Sequence, residues 1–358
     1  MRRAGLFRMV VPTEFGGMAI DLRSFVEVLE IVAGGNSAAA WDLAASSVGT
    51  LFALGLPQEG LERVYAQGPD VIFAGTATID RDAAQAVVAE DGFRVTGRWR
   101  FGSGCQDADW MIASAAVVDA QGSRAAGPPD PEMRYVVFPR SEVEILDTWH
   151  VIGMRGTGSH DWAVTDAFVP NFLTEESRLV QGPNVPRPWR GALYRVPLAS
   201  ITSLHFSAVA TGLARRAIDT LMELAKLKTP HRSPGLLSGR VQVQEALARA
   251  EVALESARAY RDAVIDDAWR TVEAGDSLSL AQRARIRLAG TNAAESAAKA
   301  VDLMYAAGGT TSIEEDFPLS RFFRDVHVIA QHVTVLPLYY ELIGRAFLGL
   351  ELDRSRPF

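Results

Sequence analysis

Gly97-Arg98-Trp99-Arg100-Phe101-Gly102-Ser103-Gly104-Cys105-Gln106-Asp107-Ala108-Asp109-Trp110 reads as a tight turn held between two strands. Before it, Gly92-Phe93-Arg94-Val95-Thr96 alternates between apolar and polar residues. After it, Met111-Ile112-Ala113-Ser114-Ala115-Ala116-Val117-Val118 has the composition of a buried strand. The glycines let the backbone approach a planar ligand closely, and Ser103 places a small hydroxyl there. Phe101 and Trp110 flank the turn as flat apolar surfaces.

A second stretch, Asp147-Thr148-Trp149-His150-Val151-Ile152-Gly153-Met154-Arg155-Gly156-Thr157-Gly158-Ser159-His160-Asp161, precedes another strand pattern that ends in Val169-Pro170. The two stretches together resemble the acyl-CoA dehydrogenase superfamily, and within it most of all the two-component flavin monooxygenases. The resemblance runs over nearly the whole chain. It implies a mainly α fold with a central β-barrel-like domain and a C-terminal four-helix bundle. It implies that Ser103 hydrogen-bonds flavin N5, that Phe101 covers one ring face, and that Trp110 helps frame the ring. Thr157, Gly158 and Ser159 would line the flavin edge. The activity implied is that of an oxygenase component. It takes reduced FMN, or FAD, from a separate NAD(P)H:flavin reductase and forms a C4a-(hydro)peroxide with dioxygen. With that it hydroxylates an aromatic or heteroaromatic small molecule.

The composition is compatible with this reading. The 358 residues are 48% hydrophobic and 22% charged, ordinary for a globular enzyme with a sizeable core. A net charge of -7 argues against nucleic acid as a main partner. The single cysteine, Cys105, excludes an internal disulfide and suits a reducing, cytoplasmic setting. Lying in the turn, it reads either as a small turn residue or as a redox group with no second thiol to resolve it. Met1-Arg2-Arg3 imitates the start of a signal peptide, but Pro12 and Gly16-Gly17 break the apolar stretch that follows. The resemblance implies a helix before the Ala4-Gly5-Leu6-Phe7 element, and on that comparison the helix is expected to be absent or truncated here. Ala38 to Leu56 carries one charge, Asp42, yet is too rich in Ala and Ser for a membrane span and reads as buried helix. Metal-ligand spacings are missing, as are the phosphate-binding glycine fingerprints, so neither a metal nor a conventionally bound nicotinamide is expected.

Three regions follow from the patterning. Residues 1–70 form a helical region with breaks at Gly34-Gly35 and Pro57, and with Asn36 or Ser37 as a helix N-cap. Residues 71–170 are β-rich, interrupted by a Gly- and Pro-rich loop from Gly122 to Met133. Residues 171–358 begin irregularly and then run as four long helices, Ser200–Leu227, Val241–Ala274, Ser279–Ala307 and Arg321–Leu350. The Ala-rich faces of the middle two exceed what one bundle core requires, which points to a homotetramer, or at least a dimer, built on that bundle.

The catalytic expectation rests on Arg324-Asp325-Val326-His327-Val328-Ile329-Ala330-Gln331-His332-Val333-Thr334. In most acyl-CoA dehydrogenases the carboxylate that removes the substrate α-proton follows such an Arg-Asp pair. Here that position is Val333, and His332 precedes it. Valine cannot take a proton. A histidine on this last helix, with an unperturbed pKa near 6.5, suits protonation or orientation of an oxygenating intermediate. His327 would lie on another helical face. Many members of the monooxygenase branch carry a second histidine eight residues before a proline equivalent to Pro57, and here that position is Gly49. The substrate end of the pocket is therefore expected to be roomier, with Trp41, Leu51, Phe52 and Val333 as candidate lining. Arg232 or Arg240 is the candidate for a flavin phosphate. Gly308-Gly309 either contacts flavin bound to a neighbouring subunit or is an ordinary helix cap. The alternatives are an acyl-CoA dehydrogenase with an atypical base and a non-catalytic family member.

Overall fold

The computed structural model describes residues 1–76, 83–119, 132–176, 189, 191–231 and 233–352. The described residues form two compact units. The first comprises residues 1–20, 42–150 and 155–198, and the second residues 21–41, 151–154 and 199–358.

The first unit is built on a sheet of eight described strands: β1 (Phe73–Thr76), β2 (Ala84–Ala89), β3 (Gly92–Trp99), β4 (Trp110–Val118), β5 (Met133–Pro139), β6 (Glu144–Leu146), β7 (Asp161–Pro170) and β8 (Thr174–Glu176). The order is β6-β7-β3-β2-β4-β5-β8, with β1 also paired to β4. Strand β4 is buried along its whole length. It runs parallel to β1 and β2 and antiparallel to β5, which explains its unbroken apolar reading. Strand β3 alternates because one of its faces is open to solvent. Trp99, Phe138 and Trp162 pack as an aromatic core on this sheet, and the Trp99 indole N–H donates to Ser114 O at 2.9 Å.

Helix α2 (Ser37–Ala53) begins in the second unit and enters the first at Asp42. Asn36 caps its start, accepting from the Ala39 N–H at 3.1 Å. Gly49 of α2 meets β1 closely: a Cβ there would lie 2.6 Å from Phe73 Cβ. The roomier pocket end expected at Gly49 is therefore not found. The space a side chain would occupy is already filled by Phe73, so glycine serves close helix–strand packing. Phe52 is likewise core, tilted against Tyr135 with ring centroids 4.8 Å apart. Alanine at position 49 should test this. In an open helix Gly→Ala stabilises by about 1 kcal/mol, whereas overpacking here should cost about 1–3 kcal/mol. A lowered unfolding temperature for Gly49→Ala is expected, and a raised one would show the space to be free.

The second unit is helical. It contains α1 (Leu22–Gly35), followed after α3 (Gln58–Val64) of the first unit by α4 (Leu198–Leu227), α5 (Val241–Glu273), α6 (Leu280–Gly308), α7 (Pro318–Ile329) and α8 (Tyr339–Phe347). Buried alanines at 284, 289, 293, 294, 297 and 300 let α6 approach its neighbours closely. Ser279 and Gln282 close a capping box at its start. A buried ionic cluster ties α1 to α4 and α5. Arg261 donates to Glu30 at 2.7 Å, Arg258 donates to it at 3.2 Å, and the Thr211 hydroxyl also donates to Glu30. These cations hold the Glu30 carboxyl below its ordinary range despite burial.

One expectation fails here. Residues 321–350 are not a single helix. Helix α7 stops at Ile329 and α8 starts at Tyr339. Between them Pro337 removes a backbone donor and disfavours helical geometry at Leu336, and Val333-Thr334-Val335 adds three β-branched residues. Its consequence is that His332 lies in a turn and not on a helix.

Candidate active site

Both sequence stretches meet in the first unit. The N–H of Gly102 donates to His160 O and that of Gly104 to Thr157 O, each at 2.9 Å. These bonds stitch the turn after β3 to the segment before β7. Three buried hydroxyls follow in a chain: Ser103 Oγ lies 2.8 Å from Ser159 Oγ, which lies 2.6 Å from Thr157 Oγ1. Gly158 between them has a left-handed backbone, φ +49°.

Phe101 also has a left-handed backbone, φ +63°, which costs a non-glycine residue about 1–2 kcal/mol. Its ring is 52% exposed although it sits among buried neighbours. The Trp149 ring meets it edge-on at 6.2 Å, and the Arg100 guanidinium lies 4.7 Å from its centroid. Trp149 is held in turn by His160, whose Nδ1 accepts from the Thr148 and Trp149 N–H groups at 3.2 Å. Backbone strain of this kind clusters at ligand sites, which keeps Phe101 among the candidates. Trp110 is buried at the head of β4, so its contribution to such a surface is small.

The second unit holds His332. Its ring lies between Trp41, edge-on at 5.1 Å, and Phe206 of α4, tilted at 4.2 Å. Its Nδ1 lies 2.8 Å from Thr334 Oγ1 and 3.4 Å from the Thr334 nitrogen. A backbone N–H can only donate, so Nδ1 is the acceptor and the ring proton sits on Nε2. Arg287 of α6 holds the same turn, donating to Thr334 O at 2.7 Å while its guanidinium lies 4.3 Å from the Tyr339 ring centroid. Burial in this aromatic cage, reinforced by the Arg287 charge, pushes the His332 pKa down to about 4. The expectation of a group titrating near 6.5 is corrected accordingly: the imidazole is neutral throughout the neutral range.

The remaining candidates fall elsewhere. Val333 is 50% exposed in the turn beside His332. Gly309 caps α6 with φ +61°, and Lys228 Nζ donates to Gly308 O at 2.8 Å and to Thr311 Oγ1 at 2.7 Å. Arg232 lies outside the described residues. His327 faces Asp302, with Nε2 2.9 Å from Oδ1. Glu314, Glu315 and Glu341 are exposed, so none of them is a buried substitute for the missing carboxylate.

An indole-3-acetate monooxygenase of Pseudomonas putida is 33% identical to this chain over 347 residues, which span 96% of this chain and 84% of the relative. The chain belongs to the flavin-dependent monooxygenase branch of the acyl-CoA dehydrogenase superfamily. The superfamily's "Acyl-CoA dehydrogenase, C-terminal domain" matches residues 204–337. A "flavin-dependent monooxygenase, oxygenase subunit" of Mycobacterium tuberculosis is 26% identical, over 97% of this chain and 86% of the relative. The fold agrees with XiaF from Streptomyces sp., solved with FADH2 and glycerol. There the TM-score is 0.88 at 24% identity, covering 98% of this chain and 87% of the other. The enzyme is thus a flavin-dependent oxygenase component.

Its residues fit a flavin. The Ser103–Ser159–Thr157 hydroxyls supply hydrogen-bonding groups for ring heteroatoms, and exposed Phe101 supplies a flat face. Three functional candidates escaped the sequence reading. Trp149 was visible as an aromatic within a recognised motif, whereas Phe206 and Arg287 look like ordinary helix residues until the fold brings them to His332.

Acid should unfold the enzyme through its histidines. His332 and His205, the latter fully buried and held near 3, stay neutral in the fold at pH values where an unfolded histidine is charged. At these two histidines the native state binds fewer protons than the unfolded state between about pH 6.5 and 4, so their contribution to stability rises with pH across this window and is lost as pH falls. The lowered Asp21 and Glu30 carboxyls add the same sign further down. Between pH 7 and 4 a His205→Phe variant should gain unfolding temperature relative to native protein as pH falls, and parallel profiles would contradict this.

Proposed function

We propose that the enzyme hydroxylates an aromatic or heteroaromatic small molecule in the cytoplasm. Reduced FMN, with FAD as the alternative, would come from a separate NAD(P)H:flavin reductase, and the enzyme would work as a homotetramer. The observation that carries this reading is His332, a neutral imidazole in an aromatic cage, next to Val333, which stands where a dehydrogenase of this superfamily needs a carboxylate.

Reduced flavin, when bound, supplies the electrons that activate dioxygen. Ser103, Ser159 and Thr157 would hold the ring edge, and Phe101 would cover one face. With Nδ1 occupied by Thr334, His332 offers a hydrogen bond from Nε2–H. It serves as a fixed donor that orients oxygen transfer and does not cycle through a cation at neutral pH. Trp41 and Phe206 keep water from the imidazole and offer flat surfaces on which an aromatic substrate stacks. No helix among the described residues is long and apolar enough to cross a membrane.

Two measurements separate this reading from dehydrogenation. Flavin-loaded protein kept anaerobic should not be bleached by short or medium acyl-CoA thioesters. With reductase, NAD(P)H and air it should convert members of an aromatic panel that includes indole-3-acetate. Rapid bleaching by any thioester would overturn the assignment.

A further inference from the structure

Asp42 is the one charged residue in a long uncharged stretch, and α2 delivers it to the flavin turn. A Cβ built on Gly104 would lie 3.5 Å from Asp42 Cβ and Cγ and 3.6 Å from Oδ1. Gly104 has φ +73° and adjoins Ser103, so the carboxyl stands against the turn that carries the Ser103 hydroxyl. Oδ1 is buried and has no hydrogen-bond partner among the described residues. A buried carboxyl oxygen without a partner is costly to keep. The charged groups around it do not help. Asp107, in the same turn, is exposed and repels a second negative charge. Arg140 is engaged elsewhere, donating to Cys105 O at 2.8 Å and to Val143 O at 3.0 Å.

We propose that Asp42 is the proton-holding group of the flavin turn, and that the enzyme binds reduced flavin only with this carboxyl protonated. The inference rests on the flavin reading above. A flavin ring held at this turn would exclude the remaining water, and a carboxylate close to it would lose its solvation with no cation in exchange. The neutral acid avoids that cost. Its proton comes from water as the ring binds, and returns to water as the ring leaves. Burial first, and Asp107 second, already raise the Asp42 pKa to about 8 in the flavin-free protein. The Cys105 thiol, raised to about 11, stays protonated over the same range and does not mimic the effect.

Asp42→Asn keeps the shape and removes the titration. In flavin-free protein the native Asp42 keeps a proton that the unfolded chain loses between about pH 4 and 8, so the Asp42 contribution to stability should fall as pH rises through that window, opposite in sign to the buried histidines. Thermal unfolding should therefore show Asp42→Asn gaining on native protein from pH 5 to pH 9. Anaerobic titration with photoreduced FMN should show native affinity dropping from pH 7 to pH 9 about tenfold more than that of Asp42→Asn, from the shrinking protonated fraction. Calorimetry at pH 8 in two buffers of different ionisation enthalpy should show about half a proton more taken up by native protein, and this uptake is measurable without any variant. Parallel stability profiles would overturn the proposal. Parallel affinity profiles with flavin bound by both proteins would overturn it and leave the flavin reading standing. Failure of both proteins to bind reduced FMN at any pH would contradict the flavin reading, and the proposal with it.

Discussion

His332→Ala should bind reduced flavin within a few-fold of native protein and still consume oxygen, yet divert most of its turnover from hydroxylated product to hydrogen peroxide. The product formed per NAD(P)H should fall by a factor on the order of 10² or more, the range found when a positioned donor is removed. His327→Ala is the control. His327 pairs with Asp302 and packs on Phe323 on exposed helix surface, so its loss should leave coupling near native. Coupling should also stay flat in pH between about 5.5 and 7.5 as far as His332 is concerned, because its pKa near 4 keeps it neutral there. Equal loss of coupling in both variants, or a fully coupled His332→Ala, would remove the imidazole from the account. Thr334→Val is a finer probe. It deletes the Oγ1 partner of Nδ1 and leaves the weaker N–H contact, so a partial loss of coupling is expected.

Ser103→Ala is the second large effect. The substitution removes one hydroxyl from a turn whose backbone bonds, Gly102 to His160 and Gly104 to Thr157, remain intact. The fold should survive with little change in unfolding temperature. Productive oxygenation should fall by about 10²–10³, the usual cost of one well-placed donor where charge develops. Ser159→Ala should act in the same direction and more weakly, because it orients Ser103 from behind at 2.8 Å. Native rates of coupled turnover in Ser103→Ala, read by product analysis, would take Ser103 out of the site.

The strand–turn–strand around Ser103 was legible in the sequence because its determinants are local. Glycines mark the turn, alternation marks β3, and an unbroken apolar run marks β4. The long helices were legible through their periodicity, and Asn36 through its place at a helix start. The break between α7 and α8 was harder to see. The apolar spacing continues past Ile329, and only Pro337 and three β-branched residues oppose it. Gly49 was misread because its meaning is a distance to Phe73, 24 positions along the chain, and not a property of the residue itself. The His332 titration was misread for the same reason: Trp41, Phe206 and Arg287 come from three other helices. Asp42 was visible as a lone charge, but its missing partner is a fact of tertiary structure.

The central claim is that dioxygen is cleaved and one of its atoms is delivered to an organic substrate. It is tested most directly by turnover under ¹⁸O₂ with a flavin reductase, NAD(P)H and an aromatic acceptor such as indole-3-acetate, followed by mass spectrometry of the product. The account predicts one ¹⁸O atom in the hydroxylated product and none from H₂¹⁸O in the converse experiment. Product carrying oxygen only from water, or desaturated product with no added oxygen, would contradict it.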